Sequence, residues 1–234
     1  MNNKLKVILA CAIISFDVVL LFSILILRSA TLENNLKKEV NELVDLDFTK
    51  DRYNASIKTS GKYGKVEETI KTYLDDYAVS LQSLIVDIND DKLTKILSYE
   101  NYEKDGPEFK ESLEYLSTAK SEFNENIDKL ITNSEENSII SYGESKLKNK
   151  QSLELYKELM LSNQMLNNFK ETKETLIETK TRVNNIYDTS TKVLNFLVKN
   201  KANWKLEKGE IKFKTTALYN DYNKMIKEIN KKWF

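Results

Sequence analysis

Apolar positions recur along most of this chain at intervals of three and four. Val66, Ile70, Tyr73, Tyr77, Leu81, Leu84 and Ile88 step in this way, which puts them on one helical face and predicts a helix over 66–88. Asn89-Asp90-Asp91 ends it, and a short helix is expected around Leu93 to Tyr99. Asp105-Gly106-Pro107 is the clearest break; Pro107 suits the first turn of the next helix, carried to Ile131 on Phe109, Leu113, Leu116, Phe123, Ile127 and Leu130. A weaker segment, Ser134 to Lys148, follows.

The longest pattern is Leu155, Leu159, Ser162, Leu166, Phe169, Lys173, Leu176, Lys180, Val183, Tyr187, Ser190, Leu194 and Leu197. Its alternation of four and three is a heptad register, open to a parallel coiled-coil dimer or a long helix in a bundle. Ser162, Lys173, Lys180 and Ser190 make the seam polar, which favours a bundle helix with an exposed middle. The period then changes. Trp204, Leu206, Ile211 and Phe213 alternate with polar residues around Lys208-Gly209, a β-hairpin signal. Thr215 or Thr216 can cap a last helix whose apolar face is Leu218, Tyr222, Met225, Ile229 and Trp233.

The N-terminus follows a different rule. Val7 to Leu27 is apolar except for Ser15, Asp17 and Ser23, and about 20 helical residues cross a bilayer. Ala30 at a cleavage site would put Arg28 three residues before the cut, which a signal peptidase disfavours. Ile8-Leu9-Ala10-Cys11 resembles a lipobox, but most of the apolar core comes after Cys11. The reading is therefore an uncleaved transmembrane anchor over 7–27, in contact with membrane lipid. Lys4, Lys6 and the terminal amine crowd the short side, so residues 1–6 are expected in the cytoplasm and the bulk of the chain outside it. A charge at Asp17 in mid-membrane costs about 2.5–3.5 kcal/mol. Asp17 either meets a partner transmembrane helix or stays a neutral acid bonded to its own helix or to water. Leu32, Leu36, Val40 and Leu43 carry a helix on to Asp45, and Asp47 to Gly64 reads as a linker. Residues 28–64 are then a juxtamembrane helix and linker. Residues 65–234 are an extracytoplasmic helical domain with its hairpin at 204–213. The expected fold is all-α: a transmembrane helix, then an elongated helical bundle with one small hairpin.

Composition narrows the chemistry. Lys and Arg number 36, as do Asp and Glu, so net charge gives no reason to expect a nucleic-acid partner. Gly 5 and Pro 1 favour long regular elements. There is no histidine, which removes the commonest general base and nearly all zinc sites. Cys11 is the one cysteine, so no intrachain disulfide or thiolate cage can form. No catalytic residue, metal site or cofactor is expected. The carboxylate pairs Asp75-Asp76, Asp90-Asp91 and Glu135-Glu136 read as solvated surface and capping charge, since helical neighbours point about 100° apart. Asp87 to Asp91 lacks the glycine and distal Glu of an EF-hand loop. The stretch from Ile85 to Glu144 is acidic and that from Lys199 onward basic. The two either face each other or solvate, or else the basic part meets anionic lipid or cell-wall polymer.

Gly209, Ile211 and Phe213, then eight residues, then Tyr222-Asn223-Lys224-Met225-Ile226 resemble the end of the YiaF-type family of bacterial envelope lipoproteins. Trp204-Lys205-Leu206 falls where that family's first strand belongs, and Asp76-Tyr77-Ala78-Val79 resembles an upstream stretch. The resemblance covers about Gly64 to Trp233. It implies a domain outside the cytoplasmic membrane and brings no catalytic residue or ligand. The family's lipidated cysteine is not matched, because Cys11 is misplaced. The expectation is an anchored, non-catalytic interaction or scaffold module of the cell envelope. The alternatives are a ligand-sensing ectodomain with a partner membrane protein, or an envelope hydrolase built on carboxylates. Trp204, Phe213, Tyr222 and Trp233 are expected to form a structural aromatic cluster.

Overall fold

A computed structural model describes residues 30–44, 52–53 and 56–233. The described residues form the helices α1 (Ala30–Val44), α2 (Gly61–Ile88), α3 (Asp91–Lys95), α4 (Tyr99–Asp105), α5 (Lys110–Asn133), α6 (Glu136–Lys146), α7 (Lys150–Met160), α8 (Asn163–Lys199) and α9 (Thr216–Trp233), with short connections from α2 to α8. A two-stranded antiparallel sheet, β1 (Trp204–Glu207) and β2 (Glu210–Phe213), precedes α9. Among the described residues no helix is long and apolar enough to cross a membrane. The anchor expected at 7–27, with Cys11 and Asp17, lies outside the described residues.

The described residues group into two compact units. One holds 85–125 and 178–233; the other holds the described part of 30–84 and 126–177. In the second unit the core comes from Leu36 and Val40 of α1, Ile70, Leu74, Tyr77 and Leu81 of α2, Ile127 and Leu130 of α5, and Tyr156 and Phe169 further on. In the first unit it comes from Leu116, Phe123, Val183, Tyr187, Leu194, Leu197 and Tyr222, among others.

The helix ends follow side-chain chemistry. Asp90 accepts from the Lys92 amide and Ser98 from the Asn101 amide, each satisfying a first-turn donor. Asn149 accepts from the Ser152 amide at the start of α7, and the Thr215 hydroxyl accepts from the Leu218 amide in α9.

Several boundaries differ from the sequence reading, each for a local reason. Helix α2 begins at Gly61, so the linker's last residues are its first turn. The short helix expected at 93–99 divides into α3 and α4 because Ser98 caps a second start. Pro107 does not open a helix. Phe109 has φ 49, outside the helical region, so α5 starts only at Lys110. The Asp105 carboxylate then accepts from the Ser112 amide at 2.8 Å. The long heptad pattern is broken between Met160 and Asn163, where the Ser162 hydroxyl accepts from the Met165 amide. Further along, Thr172 and Thr179 are buried, while the neighbouring seam lysines Lys173 and Lys180 are half-buried. The middle of α8 is thus packed through small threonines. These lose little on burial, because a threonine hydroxyl can bond its own helix.

Candidate functional site

Glu67, Lys71 and Asp75 stand four residues apart on α2, so they share one face. The Glu67 side chain is fully buried and the Lys71 side chain is 1% exposed. The Lys71 ammonium donates to Glu67 Oε1 at 2.6 Å, to Glu39 Oε2 of α1 at 3.0 Å and to the Ser56 carbonyl at 3.2 Å. All three of its protons are used. The Glu67 carboxylate also accepts from the Lys58 amide at 3.0 Å, the Thr59 amide at 2.8 Å and the Thr59 hydroxyl at 2.6 Å. Lys58 Nζ closes the circuit on Glu39 at 2.7 Å. One turn on, Asp75 takes Arg52 Nε at 2.9 Å, Nη2 at 2.6 Å and the Tyr53 amide at 2.8 Å.

The result is a latch. The described residues of 52–60 lie along α2, held by backbone groups of Tyr53, Ser56, Lys58 and Thr59 that bond to three charged side chains. Tyr53 of the segment and Leu36, Val40 and Leu43 of α1 are buried as well. Burial pushes the Glu67 carboxyl up, but Lys71, the Thr59 hydroxyl and the Lys58 and Thr59 amides pull it further down, so it stays ionised below the usual glutamate range. The hydrogen bond and the charge of Asp75 raise the Arg52 guanidinium above its ordinary value. Each carboxylate is matched by a cation, so the arrangement neutralises charge and fixes a segment.

The same unit holds a set of buried tyrosines. The Tyr73 hydroxyl donates to the Asn133 carbonyl at the end of α5, and the Tyr77 hydroxyl meets Ser134 Oγ at 3.0 Å. Tyr156 donates to the Ile139 carbonyl at 3.1 Å. Tyr73 meets Tyr142 edge-on at 5.0 Å. Burial raises all three hydroxyls, Tyr73, Tyr77 and Tyr156, above the ordinary tyrosine range. Tyr73 thereby reaches a carbonyl at the end of α5 that has no intrahelical partner, whereas Tyr77 reaches a side-chain hydroxyl and Tyr156 a carbonyl within α6.

In the other unit three of the four predicted aromatic residues, Trp204, Phe213 and Tyr222, lie in one run of ring contacts. Phe213 of β2 lies 6.2 Å from Phe196 and 5.3 Å from Tyr222, ring centre to ring centre. The Tyr222 hydroxyl pairs with that of Tyr102 at 3.0 Å. Tyr102 meets Phe109 edge-on at 5.4 Å, and Phe109 stacks on Trp204 at 6.0 Å. Trp204 Nε1 donates to the Leu197 carbonyl at 2.8 Å, which ties the hairpin to the end of α8. Lys208 (φ 52) and Gly209 (φ 80) make the turn with both φ values positive, as a primed type I turn requires. The side chain of Trp233 lies outside the described residues.

Asp75 departs from the sequence reading. Expected as solvated surface charge, it is buried against Arg52. Glu39, Glu67 and Lys71 were not singled out either. One signal could have pointed to them: Leu74 and Ala78 lie outside the seven-residue apolar stripe, and they widen the buried face of α2 towards Glu67, Lys71 and Asp75. Asp90 does act as a cap, and it also accepts from the Tyr115 hydroxyl. Glu135 pairs with Lys173 at 2.7 Å on the surface. Among the described residues no group of three His, Cys, Asp or Glu side chains could hold a metal ion. No family model, curated protein or solved structure matches the chain.

Proposed function

We propose that this chain is a membrane-anchored helical interaction or scaffold module of the bacterial cell envelope, without catalysis of its own. Residues 7–27 are its anchor, the N-terminus faces the cytoplasm and the helical domain lies outside. The latch is the observation that carries the reading. A slack tether would need no buried charge between the anchor and the bundle. Here the described residues of 52–60, between α1 and α2, are fixed to α2 by Glu67, Lys71 and Asp75. A fixed connection suits a module whose position matters to what it holds. The hairpin at 204–213 followed by α9 with Tyr222 to Ile226 also supports kinship with the YiaF-type envelope proteins.

Alkaline carbonate extraction tests the anchor. The chain should stay in the membrane pellet, and Cys11→Ser should behave alike. Release of the Cys11→Ser form alone means that a lipid was the anchor. Copurification from gently solubilised membranes tests the scaffold role. Recovery of a membrane signalling protein with the chain would favour the second reading, a ligand-sensing ectodomain whose latch transmits to a partner.

A further inference from the structure

The basic C-terminal region is unevenly neutralised. From Lys199 to the end the chain has ten lysines and four acidic residues. Lys201 pairs with Glu108, Lys205 with Glu207 and Lys212 with Glu210. Among the described residues no carboxylate pairs with Lys224 or Lys227, and both are exposed. Both stand on α9, on the side opposite its packed residues. Tyr222 and Ile229 face the core, whereas Asn220, Lys224 and Lys227 stand opposite them at three- and four-residue steps, with Tyr219 and Asn223 on the flank between. A cleft of about 530 Å³ runs along this face, lined, among the described residues, by those five and Glu228.

The donor chemistry is one-sided. Among the described residues that line it, two ammonium groups, two amide NH₂ groups and a phenol can all donate, against one carboxylate, that of Glu228. Such a set suits an anion with several acceptor oxygens, a phosphodiester above all. Tyr219 is 50% exposed and presents an apolar ring with a polar tip. That is the side chain favoured where water gives way to acyl chain.

We propose that the outward face of α9 binds the phosphodiester headgroups of an anionic phospholipid bilayer through Lys224, Lys227, Asn220, Asn223 and Tyr219. This rests on the anchored reading above, since a membrane is then always at hand. Lysines near such a surface gain from its negative potential, and the gain is lost at high salt.

The test is lysine acylation of the full chain in nanodiscs, read by mass spectrometry at each lysine. One set of discs is phosphatidylcholine alone and the other an equimolar mixture with phosphatidylglycerol. Lys224 and Lys227 should react severalfold more slowly in the mixed discs, with the difference abolished by high salt. Lys95 and Lys110, exposed but off this face, should be unchanged. Equal rates at Lys224 and Lys227 in both discs, or a uniform slowing of every exposed lysine, overturns the proposal. Soluble glycerophosphoglycerol, a free phosphodiester, added to phosphatidylcholine discs separates the sources. If it protects as well as the lipid does, the ligand is a free phosphodiester and the bilayer assignment is wrong. A chain that fails to stay with phosphatidylcholine discs refutes the anchor instead. Acylation with and without phosphatidylglycerol vesicles then tests the α9 face alone by the same two rates.

Discussion

Replacing Lys71 by Met removes the centre of the latch while nearly keeping side-chain volume. Three contacts go: Glu67 at 2.6 Å, Glu39 at 3.0 Å and the Ser56 carbonyl at 3.2 Å. Breaking a buried pair by removing one partner costs about 3–5 kcal/mol, because the other charge is left uncompensated. The lower end applies here. Glu67 keeps the Thr59 hydroxyl and two amides, and Glu39 keeps Lys58. A cost of about 3 kcal/mol corresponds to roughly a hundredfold change in a local opening equilibrium. Amide hydrogen exchange of the full chain in neutral detergent reads this directly. The Tyr53, Lys58 and Thr59 amides should exchange about a hundredfold faster in Lys71→Met, whereas the exposed control Lys65→Met should change nothing. Glu67→Gln added to Lys71→Met should recover part of the loss, since the amide oxygen still accepts and no lone buried charge remains. The pH dependence has a definite sign. The folded Glu67 carboxyl is held below its ordinary 4.5, so its contribution is complete above that value. It is lost as pH falls through the lower folded pKa. Unchanged protection of 52–60 in Lys71→Met would refute the latch as an energetic feature.

Further outcomes follow from the two units. Trp204→Ala and Phe213→Ala each remove a half-buried ring from the hairpin cluster; about 2–3 kcal/mol is expected, somewhat below the fully buried case, with a clearly lower melting temperature by circular dichroism. Lys208→Asn and Lys212→Gln should melt like wild type, since Asn tolerates a positive φ and the Lys212–Glu210 pair is exposed. If the aromatic variants melt like wild type yet lose a copurifying partner, that face is a binding site. Gly143→Ala should cost about 1–3 kcal/mol, measured by urea unfolding, because its methyl group would meet the Tyr156 ring. Unchanged unfolding would show that the Tyr156 ring moves aside freely.

Where one apolar face met one interior, the sequence sufficed. The stripe Val66 to Ile88 is buried throughout, and Trp204, Leu206, Ile211 and Phe213 are half-buried on the inner side of the hairpin. Apolar residues report their own burial through period, so both elements were legible. The Trp204↔Phe213 register follows from the turn at Lys208-Gly209. The heptad seam was half-legible. The register along α8 held, but Thr172 and Thr179, not Lys173 and Lys180, fill the inner positions, because a long charged stem turns outward when a small residue stands next to it.

The latch was not legible, and the reason is physical. Glu67, Lys71 and Asp75 at four-residue spacing spell a solvated helix face, with an i,i+4 pair of the kind found on surfaces. What buries them is an extended segment with too few apolar residues to announce itself; Tyr53 is its one large buried side chain among the described residues. Such a segment cannot be held by apolar burial alone, and its backbone donors would lose water on docking. Fixed carboxylates supply acceptors to the Tyr53, Lys58 and Thr59 amides, and Lys71 supplies a donor to the Ser56 carbonyl. Directional bonds set one register where a greasy contact would permit sliding. Charge in the interior is therefore the means by which the described residues of a polar segment are held in one register against α2.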